Sequence, residues 1–269
     1  MKMRACLRAV LTVVAMAAPC APLQAQTLAL APAEVVQTFT PGQPFKVEFS
    51  VSNASSQPVA VRTSVTDLWY NEKNEKTFGP AGSSPHSAAN WIQFVPRVVT
   101  LAPNSSTKMT AFVTPPAGAR GGYYAVVFVE SKPELVRQTT TEAQPVYANI
   151  RLGALILLTA AASEDFSVKV TDAALTPPSA SRPLELLVTI ANESNTHVFP
   201  KASLAVFGAD KRLVAKADAP EKRFLPGQTD SISLAWSGKL PPGEYEGVLS
   251  VVYAGNRIET RSLPFRIPQ

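Results

Sequence analysis

The two histidines are the first residues whose types could support chemistry, because imidazole is a common metal ligand and general base in proteins. His86 lies in a segment rich in Ser, Pro and Ala, and His197 follows Asn195 in a turn. Neither histidine has a second ligand at a spacing typical of a metal site. Both are therefore predicted to be surface or capping histidines, and no metal or other cofactor is expected.

The glycines Gly118, Gly121 and Gly122 come closest to a phosphate-binding loop. They fall between two predicted strands, where glycine serves a turn, whereas a phosphate-binding loop opens a helix. The acidic pair Glu164 and Asp165 is interpreted as a solvated linker. The sequence contains no G-x-S-x-G elbow and no dinucleotide-binding glycine pattern. These features predict that the protein is not an enzyme.

The amino terminus has the pattern of a secretory signal peptide. Basic residues at positions 2, 4 and 8 precede an apolar run over 9–18, and Ala25 is suited to the position before cleavage. A membrane anchor would need about 20 apolar residues, which this run does not provide. A lipoprotein would use Cys20, but Pro19 beside it is unfavourable. We expect residues 1–25 to be removed and the mature protein to be periplasmic.

Removal of this segment changes the charge and cysteine counts. Both cysteines and three of the 25 basic residues would be lost, which leaves a net charge of 25 − 3 − 20 = +2. So small a charge argues against a nucleic-acid partner. The remaining 269 − 25 = 244 residues can fold by burial alone, without disulfides. The longest later apolar stretch, over 152–162, is too short to cross a bilayer, so no transmembrane segment is expected in the mature chain.

Alternation of apolar and polar residues runs along the mature chain, and helical periodicity is nearly absent. Residues 45–51 alternate, and residues 59–65 alternate again after a polar turn, which predicts two antiparallel strands. Similar runs occupy 108–113, 123–130, 146–159, 166–170, 184–190, 202–207, 231–236 and 248–253. Clusters of Pro, Gly, Asn and Ser separate them. The pattern predicts an all-β sandwich.

An internal repeat indicates two domains. VSNAS at 51–55, LAPN at 101–104, PP at 115–116 and YY at 123–124 are followed in the same order by IANES at 190–194, LPG at 225–227, PPG at 241–243 and Tyr245. The offset falls from 192 − 53 = 139 to 225 − 101 = 124, which places about 15 extra residues in the first copy, around Trp69 to Asn90. We predict two tandem immunoglobulin-like β-sandwich domains, at 26–160 and 161–269.

The segment LPPGEY at 240–245 resembles the tyrosine corner of immunoglobulin-like sandwiches, in which the phenol bonds back to nearby backbone. Tyr and Trp residues among apolar neighbours are expected to support the fold. The predicted fold determinants are Tyr124, Leu240, Gly243, Tyr245, Trp91 and Trp236.

A cysteine-free exported chain of two sandwiches resembles the periplasmic pilus-assembly chaperones, the PapD-like family. The segment FVPRVVTLAPN at 94–104 is similar to the one by which those chaperones turn a proline-containing strand into a leucine-proline loop. The resemblance implies a non-enzymatic protein that captures a pilin-like, β-rich secreted subunit by donating an edge strand to it.

The donor strand implied by this resemblance is the run 146–159. Its alternate residues, which would lie on one face, are Val146, Ala148, Ile150, Leu152, Ala154 and Ile156. Leu155 and Leu157 make the opposite face apolar too. The same run therefore also fits the last buried strand of the first sandwich.

The chaperone family anchors the carboxylate terminus of its subunit with an arginine on the first strand and a lysine after the donor strand. Here the first-strand position holds Ala33 and Glu34, and no basic residue follows the donor run before Lys169. Arg151 is the candidate anchor, because a guanidinium group suits a carboxylate.

A second resemblance covers the first predicted domain alone. NWI at 90–92, the segment from Pro115 to Phe128, and NIRL at 149–152 are similar to the extracellular immunoglobulin-like domains found beside WxL-type surface proteins. Those domains are implicated in binding cell walls and host surfaces. The alternative function is therefore a cell-envelope or surface binding module, with peptidoglycan or an adhesion complex as partner. The sequence leaves the oligomeric state open.

Overall fold

The computed structural model describes residues 28–137, 146–179 and 181–269 of the chain. Cleavage after Ala25 falls outside these residues and stays a prediction. In the described residues no helix is long and apolar enough to span a bilayer.

Strands account for almost all of the regular structure. The first twelve are β1 (Leu28–Ala31), β2 (Glu34–Phe39), β3 (Phe45–Asn53), β4 (Val59–Tyr70), β5 (Lys76–Gly79), β6 (Ile92–Val95), β7 (Val98–Leu101), β8 (Ser105–Val113), β9 (Gly122–Ser131), β10 (Glu134–Arg137), β11 (Val146–Ala148) and β12 (Arg151–Ala160). They are followed by β13 (Val168–Thr176), β14 (Leu184–Asn192), β15 (Lys201–Gly208), β16 (Leu213–Asp218), β17 (Thr229–Trp236), β18 (Gly243–Tyr253) and β19 (Arg257–Ile267). A short 3₁₀ helix, Ala89–Trp91, precedes β6.

Two sandwiches are built from these strands. In the first, a sheet ordered β1-β3-β8-β6 faces a sheet ordered β2-β12-β9-β4-β5, with β7 also paired to β4. In the second, β13-β14-β17 faces β16-β15-β18-β19. Each sandwich encloses its own cluster of buried apolar side chains. The all-β, two-sandwich fold predicted from the alternation is thus confirmed, while the domain limits at residues 160 and 161 stay a prediction.

The alternation in the sequence has the physical cause expected for strands, since successive side chains point to opposite faces. In β14, Leu184, Leu186, Val188 and Ile190 are buried, whereas Glu185 between them is exposed. β3 and β4 are consecutive in the chain but do not pair with each other. They lie in opposite sheets of the first sandwich. The polar turn between them therefore leads from one sheet to the other and does not close a hairpin.

The run 146–159 is not one strand, which corrects the prediction. β11 pairs with β10, and β12 begins only at Arg151. At the break, the Ile150 amide donates to the side-chain hydroxyl of Ser131 at 3.0 Å. The Ser131 amide still donates to the Ile150 carbonyl at 2.9 Å. A hydroxyl thus replaces one ladder carbonyl, and the strand is interrupted there.

The repeat corresponds to a buried asparagine in each sandwich. The Asn53 amide nitrogen donates to the Leu101 carbonyl at 3.4 Å and to the Ala102 carbonyl at 3.1 Å. The Asn192 amide nitrogen donates to the Phe224 carbonyl at 3.1 Å. Asn53 pairs with Ser105, and the Asn192 amide donates to the Gln228 carbonyl at 2.9 Å. Counting back from these partners, Leu101 corresponds to Phe224, one residue before the Leu225 with which the repeat in the sequence matched it.

The predicted fold determinants occupy varied surroundings. The Tyr245 hydroxyl donates to the Pro241 carbonyl at 2.7 Å, the kind of bond that the tyrosine-corner resemblance implies. Gly243 begins β18, and Leu240 and Trp236 pack beside the second core. Trp91 packs beside the first core, with its ring centroid 4.3 Å from that of Tyr123. Tyr124 instead belongs to a third buried cluster, which includes Leu225 from the second sandwich.

Candidate functional site

The site that the sequence singled out lies at one edge of the first sandwich, where β12 is only partly covered. β12 pairs antiparallel with β9 from Arg151 to Thr159. On its other edge it pairs in parallel with β2, and this pairing begins only at Leu155. In the described part of the chain, no strand pairs with the outer edge of β12 before Leu155. We call residues 149–154 along this edge the open edge.

The hydrogen-bond pattern shows which peptide groups face outward. Ser131 and Ile150 form a hydrogen-bonded pair, and such pairs alternate along an antiparallel ladder. The peptide groups of Leu152 and Ala154 therefore point toward β9, and those of Arg151 and Gly153 point away from it. Leu155 follows the same alternation, because its amide donates outward to the Ala33 carbonyl of the segment before β2 at 2.9 Å. In the described residues, the peptide groups of Arg151 and Gly153 therefore face outward with no strand paired to them.

The six predicted donor side chains separate into three groups. Ala154 and Ile156 are fully buried in the first core, as expected for the buried strand that the sequence also allowed. Ile150 and Leu152 are half-buried and pack against that core from the open edge. Ala148 is exposed in β11, and the side chain of Val146 lies outside the described residues. The apolar surface available beside the open edge therefore comes from Ile150 and Leu152.

Arg151 lies on the outer face of the sheet. Its guanidinium carbon is 3.8 Å from the centroid of the Phe128 ring, close enough for a cation–π contact. Phe128 also meets Phe78 edge to face, with their centroids 5.4 Å apart. Gly153 is required here, because a Cβ at that position would approach Phe128 to 2.9 Å. A role for Arg151 as a carboxylate anchor stays a prediction.

The segment 94–104 joins the two sheets of the first sandwich. β6 pairs with β8 in one sheet, and after a cis peptide bond before Pro96 the chain enters β7, which pairs with β4 in the other. The Thr63 amide fixes the crossing by donating to the Arg97 carbonyl at 2.9 Å. Asn104 has φ of 49°, which turns the chain after β7.

Polar contacts join the two sandwiches. Glu34, at the start of β2, forms an ion pair with Arg223 of the second sandwich. The hydroxyls of Thr159 and Thr196 lie 3.0 Å apart, and the Gly122 amide donates to the Asn195 carbonyl at 2.8 Å. Glu34, which the sequence marked only as the lack of a basic anchor, therefore connects β2 with the second sandwich.

Both histidines lie at this junction. His197 is 7% exposed, so its prediction as a surface or capping residue is wrong. Its ring meets those of Tyr124 and Phe199 edge to face, with centroids 5.7 and 5.5 Å away. Burial, with a smaller contribution from the charge of Arg223, lowers the pKa of His197 to about 4. Burial also raises the pKa of the Tyr124 phenol. The apolar pair Val198 and Phe199 after His197 was the available sequence signal.

Of the comparisons with known proteins, only the one with solved structures gives matches. No protein-family model matches it, and no curated protein matches it. A chain of the complex described as "Chaperone-tip adhesin complex is vital for synergistic activation of CFA/I fimbriae biogenesis" is 12% identical, with a TM-score of 0.49 over 90% of this chain and 100% of that chain. The class 5 fimbriae chaperone CfaA gives 12% identity and a TM-score of 0.46, with the same coverage of both chains.

A chain from the complex of the Salmonella enterica SafA pilin with the SafB chaperone is 12% identical, with a TM-score of 0.43 over 90% of this chain and 96% of that chain. These sequence identities and TM-scores are too low to assign a function to this chain. The functional assignment therefore depends on the site.

Proposed function

We propose that this protein is a non-enzymatic, periplasmic chaperone that captures a secreted, β-rich subunit of pilin type by pairing with the open edge. The observation that carries the proposal is the outward direction of the Arg151 and Gly153 peptide groups on a strand end that β2 leaves uncovered. Bare sheet edges template pairing with another chain, so proteins usually block them. An uncovered edge is therefore a feature that requires a function.

The surroundings of the open edge favour an added strand over a small ligand. Ile150 and Leu152 are half-buried beside the unused peptide groups, so backbone pairing and apolar contact would occur together. β1, the edge strand of the facing sheet, lies close to β12 and contributes the half-buried Leu30. A strand paired to β12 would cover all three side chains.

The proposal includes an order for the chain. Residues 1–25 would direct export, residues 26–160 would form the subunit-binding domain, and residues 161–269 would form the supporting domain. The resemblance of residues 94–104 to the pilus chaperones supports this order.

The test separates backbone pairing from side-chain chemistry at one position. Arg151→Pro removes an amide hydrogen that points to the open edge and leaves the amides directed at β9 intact. Arg151→Ala keeps that amide hydrogen and removes only the guanidinium group. Tagged mature protein of each type would be recovered from the periplasm, and the co-purifying proteins identified by mass spectrometry.

We expect Arg151→Ala still to recover one small secreted β-rich subunit, with a lower yield if the guanidinium also anchors the subunit's carboxylate, and Arg151→Pro to recover none. Circular dichroism and thermal melting would verify that both variants are folded. Capture by Arg151→Pro at the level of the unaltered protein would exclude strand addition at this edge. Recovery of cell-wall fragments by all three proteins would favour the envelope-binding alternative.

A further inference from the structure

A cleft between the two sandwiches lies apart from the open edge. It has a volume of about 490 Å³, and its floor includes the buried side chains of Leu68, Tyr124 and Leu225. One wall comes from the end of β4 and the following loops, and the other from residues 225–229 of the second sandwich. Clefts of this size at domain junctions accommodate small molecules or single side chains.

The first wall belongs to the segment that distinguishes the two copies of the repeat. The extra residues of the first copy fall between Trp69 and Asn90, and the residues lining this wall lie within 68–86. The tip of the β4–β5 hairpin also reaches the second sandwich, where the Gln228 amide nitrogen donates to the Asn74 side-chain oxygen at 2.9 Å. The insertion thus both builds the cleft and holds its two walls together.

Most polar side chains in the cleft already have partners. The Asn71 oxygen accepts bonds from the amides of Lys73 and Glu75, at 3.0 and 2.9 Å. The Gln228 oxygen accepts a bond from the Leu225 amide at 3.0 Å. The Ser83 hydroxyl donates to the Pro80 carbonyl at 2.6 Å. These groups maintain the walls and are not free to bind a ligand.

Two charged or polar side chains that line the cleft keep free acceptor atoms. In the described chain the Glu72 carboxylate has no ion pair, and no Lys or Arg lines the cleft. His86 Nδ1 lies 2.8 Å from the Gly122 carbonyl, so Nδ1 must carry the proton and Nε2 is left as an acceptor in the neutral ring. Tyr70, which is half-exposed and packs against the cluster of Leu68 and Tyr124, adds a ring face of negative potential.

We propose that this cleft binds a cationic group, either an ammonium or a guanidinium. The Glu72 carboxylate supplies the charge, His86 Nε2 accepts a hydrogen bond, and the ring of Tyr70 contributes a cation–π contact. The cation could belong to a free organic amine or guanidine, or to a basic side chain of a peptide. The chemistry recognised is the same for both sources.

The test titrates the full mature protein with four probes by calorimetry: butylammonium, butylguanidinium, neutral butyramide, and a blocked Gly-Arg-Gly tripeptide. We expect the three cations to bind, and butyramide not to bind up to about 10 mM. Chemical shifts of the Tyr70 and His86 rings should move on binding. Glu72→Gln should weaken cation binding about tenfold, because a charge-assisted contact becomes neutral. Glu185→Gln, an exposed acid of the second sandwich, is the matched control.

Tighter binding of the tripeptide than of butylguanidinium would identify a peptide side chain as the source, and the reverse order a free organic cation. Binding of butyramide as strong as that of the cations would overturn the proposal. So would equal cation affinity in Glu72→Gln and the unaltered protein, or no cation binding up to about 10 mM.

Discussion

The last strand of each sandwich lies at a sheet edge, β19 along its whole length and β12 only before Leu155, and the side chains beside the two edges differ. In the second sandwich, β19 carries arginines that reach the facing sheet: Arg257 donates to the Phe166 carbonyl at 3.2 Å, and Arg261 donates to the Val170 carbonyl. β19 also contains Pro264, which has no amide hydrogen to offer. In the first sandwich, the guanidinium of Arg151 lies over Phe128 on the outer face instead.

This difference shows that one fold can block or present an edge through a few side chains. The arginines of β19 occupy carbonyls of the opposite edge, so an incoming strand meets charge and filled acceptors. β12 offers half-buried aliphatic side chains and outward peptide groups over residues 149–154. Under the proposed function, binding therefore belongs to the first sandwich, and the second sandwich supports it.

The largest expected effect comes from placing a charge beside each edge, which tests whether only the β12 edge binds a subunit. Leu152→Asp puts a carboxylate where an added strand would bury apolar surface, so we expect subunit capture to fall by about 100-fold or more. Ile258→Asp on β19, where Ile258 is 58% exposed, should leave capture unchanged. Pull-down yields measure both effects, and thermal melting verifies the fold. Equal capture by the two variants would remove the functional difference between the edges.

The next largest expected effect is a pH dependence of stability that arises from His197, at the junction of the two sandwiches. Because the pKa of His197 is about 4 in the folded protein and 6.5 when exposed, the unfolded state binds more protons between these values. Stability is therefore complete above pH 6.5 and falls as the pH drops toward 4, by up to about 3 kcal/mol. Urea unfolding at several pH values measures this, and His197→Phe should flatten the dependence. An unchanged slope in that variant would assign the acid sensitivity to other groups.

Opening the second edge should have a smaller effect. Replacing Arg257 and Arg261 by Ala frees the Phe166 and Val170 carbonyls, and we expect a loss of about 1 kcal/mol in stability with increased self-association. Light scattering and urea unfolding measure the two quantities. Arg266→Ala, on the same strand, is the control. A double variant that stays monomeric would show that the arginines do not protect this edge.

The smallest effect concerns the tyrosine corner of the second sandwich. Tyr245→Phe removes the hydrogen bond to the Pro241 carbonyl and keeps the ring stacked on Phe265, at a centroid distance of 5.4 Å. We expect a loss of about 0.5 kcal/mol in stability and unchanged subunit capture. Reduced capture at unchanged stability would give the second sandwich a direct part in binding.

The fold could be predicted largely from local sequence, because strand alternation and turn residues act over a few positions. β14 illustrates this, since its apolar residues at every second position are the buried ones. The sequence repeat also identified Asn53 and Asn192 as equivalent residues. The buried side-chain amide of each asparagine donates to a carbonyl of a distant turn. Because both sandwiches need this contact, the residues around the asparagine are similar in the two copies.

The candidate site could be predicted only in part, because its edges depend on pairing between distant segments. The sequence placed the donor residues on one strand, but the break at Ile150 depends on the Ser131 hydroxyl. The coverage of β12 from Leu155 onward depends on β2, more than a hundred residues earlier in the chain. The ion pair of Glu34 with Arg223 and the burial of His197 likewise arise from the contact between the two sandwiches.

The parallel pairing of β2 with β12 has a consequence for the selection of a partner. Because β2 pairs with β12 from Leu155 onward, an added strand cannot pair with β12 between Leu155 and Ala160. Its register on β12 is therefore limited at that end. A slip of one residue would turn every side chain of the added strand to the opposite face. Under the proposed function, β2 therefore fixes the position on β12 at which pairing with a partner strand begins.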